Sequence, residues 1–370
     1  MRQKIIAACG ARQKVAELLK EIGAKKTLVV CNYVSEEQKL DDILLHGGLS
    51  FTYFKDFASN PLYEEVCRGI SVLSENGCDS IIAIGGGSAI DVAKCIKLFC
   101  KMDKDVNYLQ QEYTDSGIPL IAIPTTAGTG SESTRYAVIY YEGKKQSIAH
   151  ESIIPDFAVL DAELLRTLPL YQKKCTMLDA LCQGIESWWS VNSTAESKEY
   201  SRAAVEGIMH NMKLYLSDPE DMEAAERIMT ASNYAGRAIN ITQTTAPHAM
   251  SYKLTSLYRL PHGHAVAICM PKVWKYMTKH METTADPRGE GYLKAIFCDI
   301  AECMGHASSD ECIAWFENLL VRLDIKAPRG TMDEVTILAG SVNPVRLKNN
   351  PVKIIEEDFM SLYRSITAEG

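Results

Sequence analysis

The chain lacks the paired cysteines of a disulfide framework or a zinc knuckle. Its twelve cysteines are scattered, and no two form a C-x-x-C pair. Several lie in apolar segments, such as Cys269 in AVAICMP, a usage that suits free thiols in a reducing cytoplasm. No apolar run is long enough to span a bilayer, which argues against a membrane partner. The N-terminal MRQKIIAACGARQKVAELLKE returns to charge after one short apolar patch and is not read as a cleavable signal. Basic residues are in deficit, 39 against 47 acids, and the net charge of -8 argues against nucleic acid as the main partner. Internal repeats and low-complexity linkers are also missing.

What is present is the balance of a globular protein, 46% hydrophobic and 23% charged. At 370 residues the chain is too long for one ordinary core, so two domains are expected. Up to about Asp161, β-branched runs alternate with helical stretches. KKTLVVCN, LSFTYF, CDSIIAIGGGS, IPLIAIPTT and PDFAVLD read as strands, and 61–77 reads as a helix. That alternation predicts a parallel or mixed sheet covered on both faces. After Leu168-Pro169 long amphipathic stretches take over, at 177–190, 197–215, 222–240, 291–304 and 310–323. The expected plan is an α/β dinucleotide-binding domain over 1–165 and an all-helical domain over 166–370. A ligand cleft is expected between them.

Two loops carry the nucleotide signal. In SIIAIGGGSAIDVAK a buried strand feeds Gly85, Gly86, Gly87 and Ser88, then a helix starting near Ala89 with Asp91 in its first turn. Glycines there let the backbone approach a pyrophosphate, and the helix N-terminus offers free N–H groups. The turn is not a G-x-G-x-x-G fingerprint, and a ligand-free strand-to-helix turn has the same residues. PTTAGTGSE follows a second strand and sets the hydroxyls of Thr125, Thr126, Thr129 and Ser131 on a glycine-loosened loop. They suit ribose, phosphate or a nicotinamide amide, or simply cap a helix. Two such loops at strand ends favour the dinucleotide.

The helical half carries a metal signal. Asp179 and Gln183 stand four apart in LDALCQGIESWWS, on one helix face. His248 and His262 stand fourteen apart in TTAPHAMSYKLTSLYRLPHGHA. Together they offer a carboxylate, an amide oxygen and two imidazoles, a set that suits Zn2+ or Fe2+ with positions left open. Each residue alone reads as a cap, a solvated amide or a core histidine.

GGGSAIDVAK, PTTAGTGSE, TRYAV, PDFAVLD, LDAL..GIES and HAM…PHG, in that order, make the chain resemble the iron-containing (group III) alcohol dehydrogenase family over nearly its whole length. The resemblance implies that fold, with NAD(P)H-linked interconversion of a small aldehyde and its alcohol at a divalent metal. It implies Asp179, His248 and His262 as ligands. Where the family usually has a third histidine this chain has Gln183, and where many relatives carry a further histidine it has Tyr252. Tyr252 and His262 are the expected catalytic groups, Tyr252 as a proton relay or as a packing aromatic. AGRAINITQTTAPHAMSY with DALCQGIESWWSVNSTAES resembles the phosphonoacetaldehyde reductase branch, which implies an anion pocket. Arg237 and Lys253 are its candidates. His264 is expected near the nicotinamide or at the domain surface. After TLVV the ribose-binding position falls on neutral Asn32, so neither NADH nor NADPH is selected. A homodimer in the cytoplasm is the expected form. Other-substrate dehydrogenases, dehydroquinate synthase-type lyases and a non-catalytic nucleotide-binding scaffold remain as rivals.

Overall fold

The structure, a computed structural model, describes residues 3–31 and 40–368. Asn32 lies outside the described residues. In chain order the first elements are β1 (Lys4–Ala7), α1 (Val15–Glu21), β2 (Lys26–Val30), α2 (Asp41–His46), β3 (Ser50–Phe54), α3 (Tyr63–Glu75), β4 (Ser80–Gly85), α4 (Gly87–Phe99), β5 (Leu120–Pro124), β6 (Tyr136–Tyr141), β7 (Lys144–Ala149) and β8 (Phe157–Leu160). Helices follow: α5 (Leu170–Trp189), α6 (Ala195–Ser217), α7 (Met222–Thr242), α8 (Ala246–Tyr258), α9 (His262–Lys279), α10 (Glu290–Cys303), α11 (Ser309–Arg322), α12 (Met332–Gly340), α13 (Pro344–Leu347) and α14 (Glu356–Thr367).

The chain forms two compact units. One comprises Met1–Leu168 with Asp218–Asn233, the other Pro169–Ser217 with Tyr234–Gly370. In the first, six strands make an all-parallel sheet in the order β1-β8-β5-β4-β2-β3. Successive side chains of a strand point to opposite faces, and both faces here are filled. Leu28, Val30, Ile81, Ala83, Leu120 and Ala122 pack with α3 and α4 residues such as Val66, Ile70 and Ile96. Val29, Ile82, Ile84, Ile121 and Ile123 pack on the other face with Val15 and Leu19 of α1. The register pairs Gly85 with Pro124, so the loops after β4 and β5 leave the same edge of the sheet side by side.

All five strands expected from sequence are present. Three more are found. β1 pairs in parallel with β8 at the sheet edge. β6 and β7 form an antiparallel hairpin closed by Glu142 and Gly143, both at positive φ (49° and 71°). α4 begins at Gly87, two residues before the expected start, and α5 at Leu170, seven residues before.

In the second unit α5 packs against α6 and α9, and α8 packs against α9. α5 is buried along most of its length from Cys175 to Trp189. No helix among the described residues is long and apolar enough to cross a membrane.

Candidate metal centre and nucleotide loops

The second unit brings three sequence-distant side chains together. Asp179 comes from the middle of α5, His248 from the first turn of α8 and His262 from the first residue of α9. One ligand atom from each lies within 4.8 Å of the others. His248 Nε2 stands 3.2 Å from Asp179 Oδ1, and His262 Nε2 stands 3.9 Å from it.

Local sequence sets this convergence. Arg259, at φ 55°, turns the chain out of α8, and Pro261 precedes the first residue of α9. Gly263 then lets α9 start directly against α5. A Cβ there would lie 2.0 Å from the Cys175 carbonyl oxygen and 2.9 Å from Asp179 Cβ.

The electrostatics point to a bound cation. Asp179 and His248 are buried at 3% exposure each. Despite their close approach, Asp179 Oδ1 and His248 Nε2 make no hydrogen bond. Buried polar atoms are rarely left so, and an ion between them is a standard resolution. Burial alone would push the Asp179 carboxyl up. The rings of His262 and His248 and a bond from Gln183 outweigh it and hold the carboxyl below its usual range. Burial pushes His248 down, yet the carboxylates of Glu186 and Asp179 lift it to about 9. A dication replaces that proton with stronger charge. The donor set therefore fits a divalent transition metal.

Gln183 is buried one turn after Asp179 and bonds to its carboxylate. Tyr252 lies flat against His262, with ring centroids 5.7 Å apart and planes within 3°. Arg237 sits on α7 with its guanidinium 5.4 Å over the Tyr200 ring, and Lys253 is half-buried on α8. His264 does not lie at the domain surface. It is buried, its Nδ1 meets the Tyr171 hydroxyl at 2.8 Å, and its Nε2 meets the Lys326 carbonyl oxygen at 2.8 Å. Both nitrogens are engaged, and burial lowers its basicity.

One functional residue was not anticipated. Glu186, fully buried on α5, bonds His248 Nδ1 through Oε2. Its Oε1 accepts from Thr245 N (3.0 Å), Thr245 Oγ1 (2.9 Å) and His248 N (3.3 Å). The sequence signal was the i, i+4, i+7 stripe of Asp179, Gln183 and Glu186, which one helix face must share.

In the first unit the two glycine-rich loops interlock. Gly85 is at φ 151°, where only glycine is at ease, and a Cβ there would lie 2.8 Å from Ala89 Cβ. A Cβ on Gly87 would come within 3.0 Å of Thr129 Cγ2, and one on Gly86 within 3.6 Å of Thr126 Cγ2. Thr125 N donates to the Gly85 carbonyl at 3.0 Å. No side chain caps α4 and no acid lies in its first turn, so its N-terminus keeps its attraction for an anion. Ser88 Oγ donates to the Ser59 carbonyl oxygen. Ser131 Oγ donates to Asp91 at 2.6 Å, and Asp91 also accepts the Val138 amide at 3.0 Å. Asp91 and Ser131 thus spend their side chains fastening the loop to α4. Lys94, fully buried beneath them, donates to Thr134 O (2.7 Å), Tyr136 O (2.8 Å), Thr134 Oγ1 (3.1 Å) and Ser131 Oγ (3.2 Å).

Comparison with known proteins matches two family models, "Iron-containing alcohol dehydrogenase" over residues 2–162 and "Fe-containing alcohol dehydrogenase family, C-terminal" over residues 174–367. The chain is 32% identical to an NAD-dependent methanol dehydrogenase of Bacillus methanolicus, over 71% of each chain. It is 33% identical to a phosphonoacetaldehyde reductase of Streptomyces viridochromogenes, over 61% of this chain and 60% of the other. The chain spans 58–60% of the length of several of the curated relatives it matches, that reductase among them. Among solved structures, a sulfoacetaldehyde reductase of Bifidobacterium kashiwanohense in complex with NAD+ superposes with a TM-score of 0.90. It is 24% identical and covers 100% of this chain and 98% of the other, a likeness of fold.

Proposed function

We propose, from the premise that the chain belongs to the iron-containing alcohol dehydrogenase family, that it reduces a small aldehyde to its alcohol with NAD(P)H at a divalent metal. The observation that carries this reading is the convergence of Asp179, His248 and His262, in which the buried Asp179 Oδ1 and His248 Nε2 have no hydrogen-bond partner. When bound, Fe2+ or Zn2+ would polarise the carbonyl, and the reduced nicotinamide would supply the hydride.

The chain's own residues do the rest. Asp179, His248 and His262 hold the metal, with Gln183 as the fourth donor. Gly85, Gly86, Gly87 and Ser88 offer backbone to the pyrophosphate, and Thr125, Thr126 and Thr129 offer hydroxyls. Asp91 and Ser131 hold that loop in shape. Tyr252, pressed on His262, passes a proton toward the product oxygen.

The substrate within this reading is phosphonoacetaldehyde, reduced to 2-hydroxyethylphosphonate. The likeness to the Streptomyces reductase supports it. So does Arg237, whose planar guanidinium, steadied over Tyr200, suits bidentate binding of a phosphonate. Lys253 would add a second charge. We carry a cytoplasmic homodimer as part of the same reading.

The test is oxidation of NADH and NADPH by the metal-loaded protein with phosphonoacetaldehyde, sulfoacetaldehyde and butyraldehyde. A preference in kcat/KM for phosphonoacetaldehyde that Arg237→Ala abolishes is the expected result. Equal rates on butyraldehyde would leave a general alcohol dehydrogenase. No oxidation with any aldehyde or metal would overturn the reading.

A further inference from the structure

We infer that Glu186 is a positioning residue of the metal centre, setting the tautomer of His248 so that Nε2 offers a lone pair to the ion. This rests on the metal-centre reading above. Three features of α5 and α8 carry it.

First, Glu186 is fully buried, and its Oε2 bonds His248 Nδ1. A carboxylate only accepts, so Nδ1 keeps its proton when a cation takes the place of the one on Nε2, and the Nε2 lone pair then faces the ion.

Second, Glu186 cannot turn away. Thr245 precedes α8 at the N-cap position, but its hydroxyl donates to Glu186 instead of capping, and Pro247 has no N–H to give. Oε1 of Glu186 therefore serves as the cap of α8, taking Thr245 N and His248 N as well. The positive end of the helix holds a carboxylate at that place. One residue thus anchors the helix that carries the ligand and orients the ligand's ring.

Third, Glu186 adds a second negative charge beside Asp179. The two together balance a dication in a site whose other donors, His248, His262 and Gln183, are neutral when they ligate.

Glu186→Gln separates these roles. All three groups at Oε1 are donors, so the glutamine oxygen must stay there and its NH2 must face Nδ1. Nδ1 then becomes the acceptor, and the proton moves to Nε2, where the ion would bind. The cap survives and the tautomer is inverted. Thr245→Val is the converse, losing one bond to Oε1 without touching the ring.

The measurement is Co2+ and Zn2+ affinity by chelator competition, read with the visible spectrum of bound cobalt and the metal-free melting curve. Glu186→Gln is expected to melt within a few degrees of wild type and to bind either ion about 10- to 100-fold more weakly. Thr245→Val is expected to melt earlier and keep its affinity within about twofold. Wild-type affinity in Glu186→Gln, or an equal loss in Thr245→Val, would overturn the inference. A second readout needs no variant: zinc-loaded wild type should show a slowly exchanging downfield Nδ1 proton on His248, and its absence would count equally against it. If wild type itself binds neither ion, the functional reading falls first.

Discussion

Gly263→Ala is the sharpest perturbation of this architecture. The added methyl would meet the Cys175 carbonyl oxygen at 2.0 Å, its carbonyl carbon at 2.8 Å and Asp179 Cβ at 2.9 Å. Ordinary contact begins near 3.4 Å, so the deficit is about 1.4 Å, and it is against backbone that cannot rotate aside. The start of α9 must back away from α5. Alanine's better helix propensity returns at most about 1 kcal/mol, and overpacking costs about 1–3 kcal/mol or more. The net effect on stability is a loss of one to a few kcal/mol.

The larger effect is local. His262 is the neighbour of Gly263, and its Nε2 already stands 3.9 Å from Asp179 Oδ1. Metal–ligand distances tolerate about 0.2 Å, and misplacing a functional group by about 1 Å costs on the order of 100-fold. Metal affinity is therefore expected to fall about 100-fold, out of proportion to the stability lost. Gly184→Ala is the control, since its Cβ would meet the side chains of Val205 and Ala204 at 3.2 and 3.3 Å and the Ser201 carbonyl oxygen at an ordinary 3.6 Å. Urea unfolding and chelator competition read both quantities. Gly263→Ala with wild-type stability and wild-type affinity would refute the close approach of α9 to α5.

Further predictions follow from burial. His248→Ala and His262→Ala should both abolish tight metal binding. Only the first should cost about 3–5 kcal/mol, because it leaves Glu186 Oε2 buried without its cationic partner; equal melting curves would contradict this. Burial pushes the Lys94 ammonium down to about 8, against the pull of Asp91 and Glu132. Between about pH 8 and the unfolded value near 10.5 the unfolded chain holds more protons at this group, so its contribution to stability rises with pH. The stability gap between wild type and Lys94→Met should widen over that window by up to roughly 3 kcal/mol, and a gap constant from pH 7 to 10 would be evidence against a depressed lysine.

The sequence was most legible where periodicity was strong. Buried strands such as SIIAIG and LIAIP are continuous apolar runs bounded by turn residues, and nothing else of that length fits them. The β6–β7 hairpin escaped because its two-residue turn is Glu142-Gly143, and glutamate is not among the residues that usually announce such a turn. β1 is four residues long at a sheet edge, too short for alternation to register. The cluster of Asp179, His248 and His262 was legible because the chain has only eight histidines. Glu186 was not, since a glutamate on a helix is usually solvated, and only the turn after Thr245 brings His248 Nδ1 to it. His264 stands two residues from a ligand, yet Tyr171 and Lys326 claim both its nitrogens.

The segment Asp218–Asn233 belongs to the first unit although it follows some fifty residues of the second. It brings Asn233, whose amide donates to Glu132 at 2.9 Å and to Ser133 Oγ at 2.6 Å, next to the loop that ends in Ser131. Glu132 is buried at 3% exposure, and burial pushes its carboxyl up. A ribosome that has released the first 168 residues has therefore not released a finished domain. The nascent sheet must wait for residue 233 before that carboxylate is satisfied, and by then Pro169–Ser217 of the second unit has already emerged. Cutting the chain after Leu168 would make the same omission permanent, so the two units are expected to mature together rather than in turn.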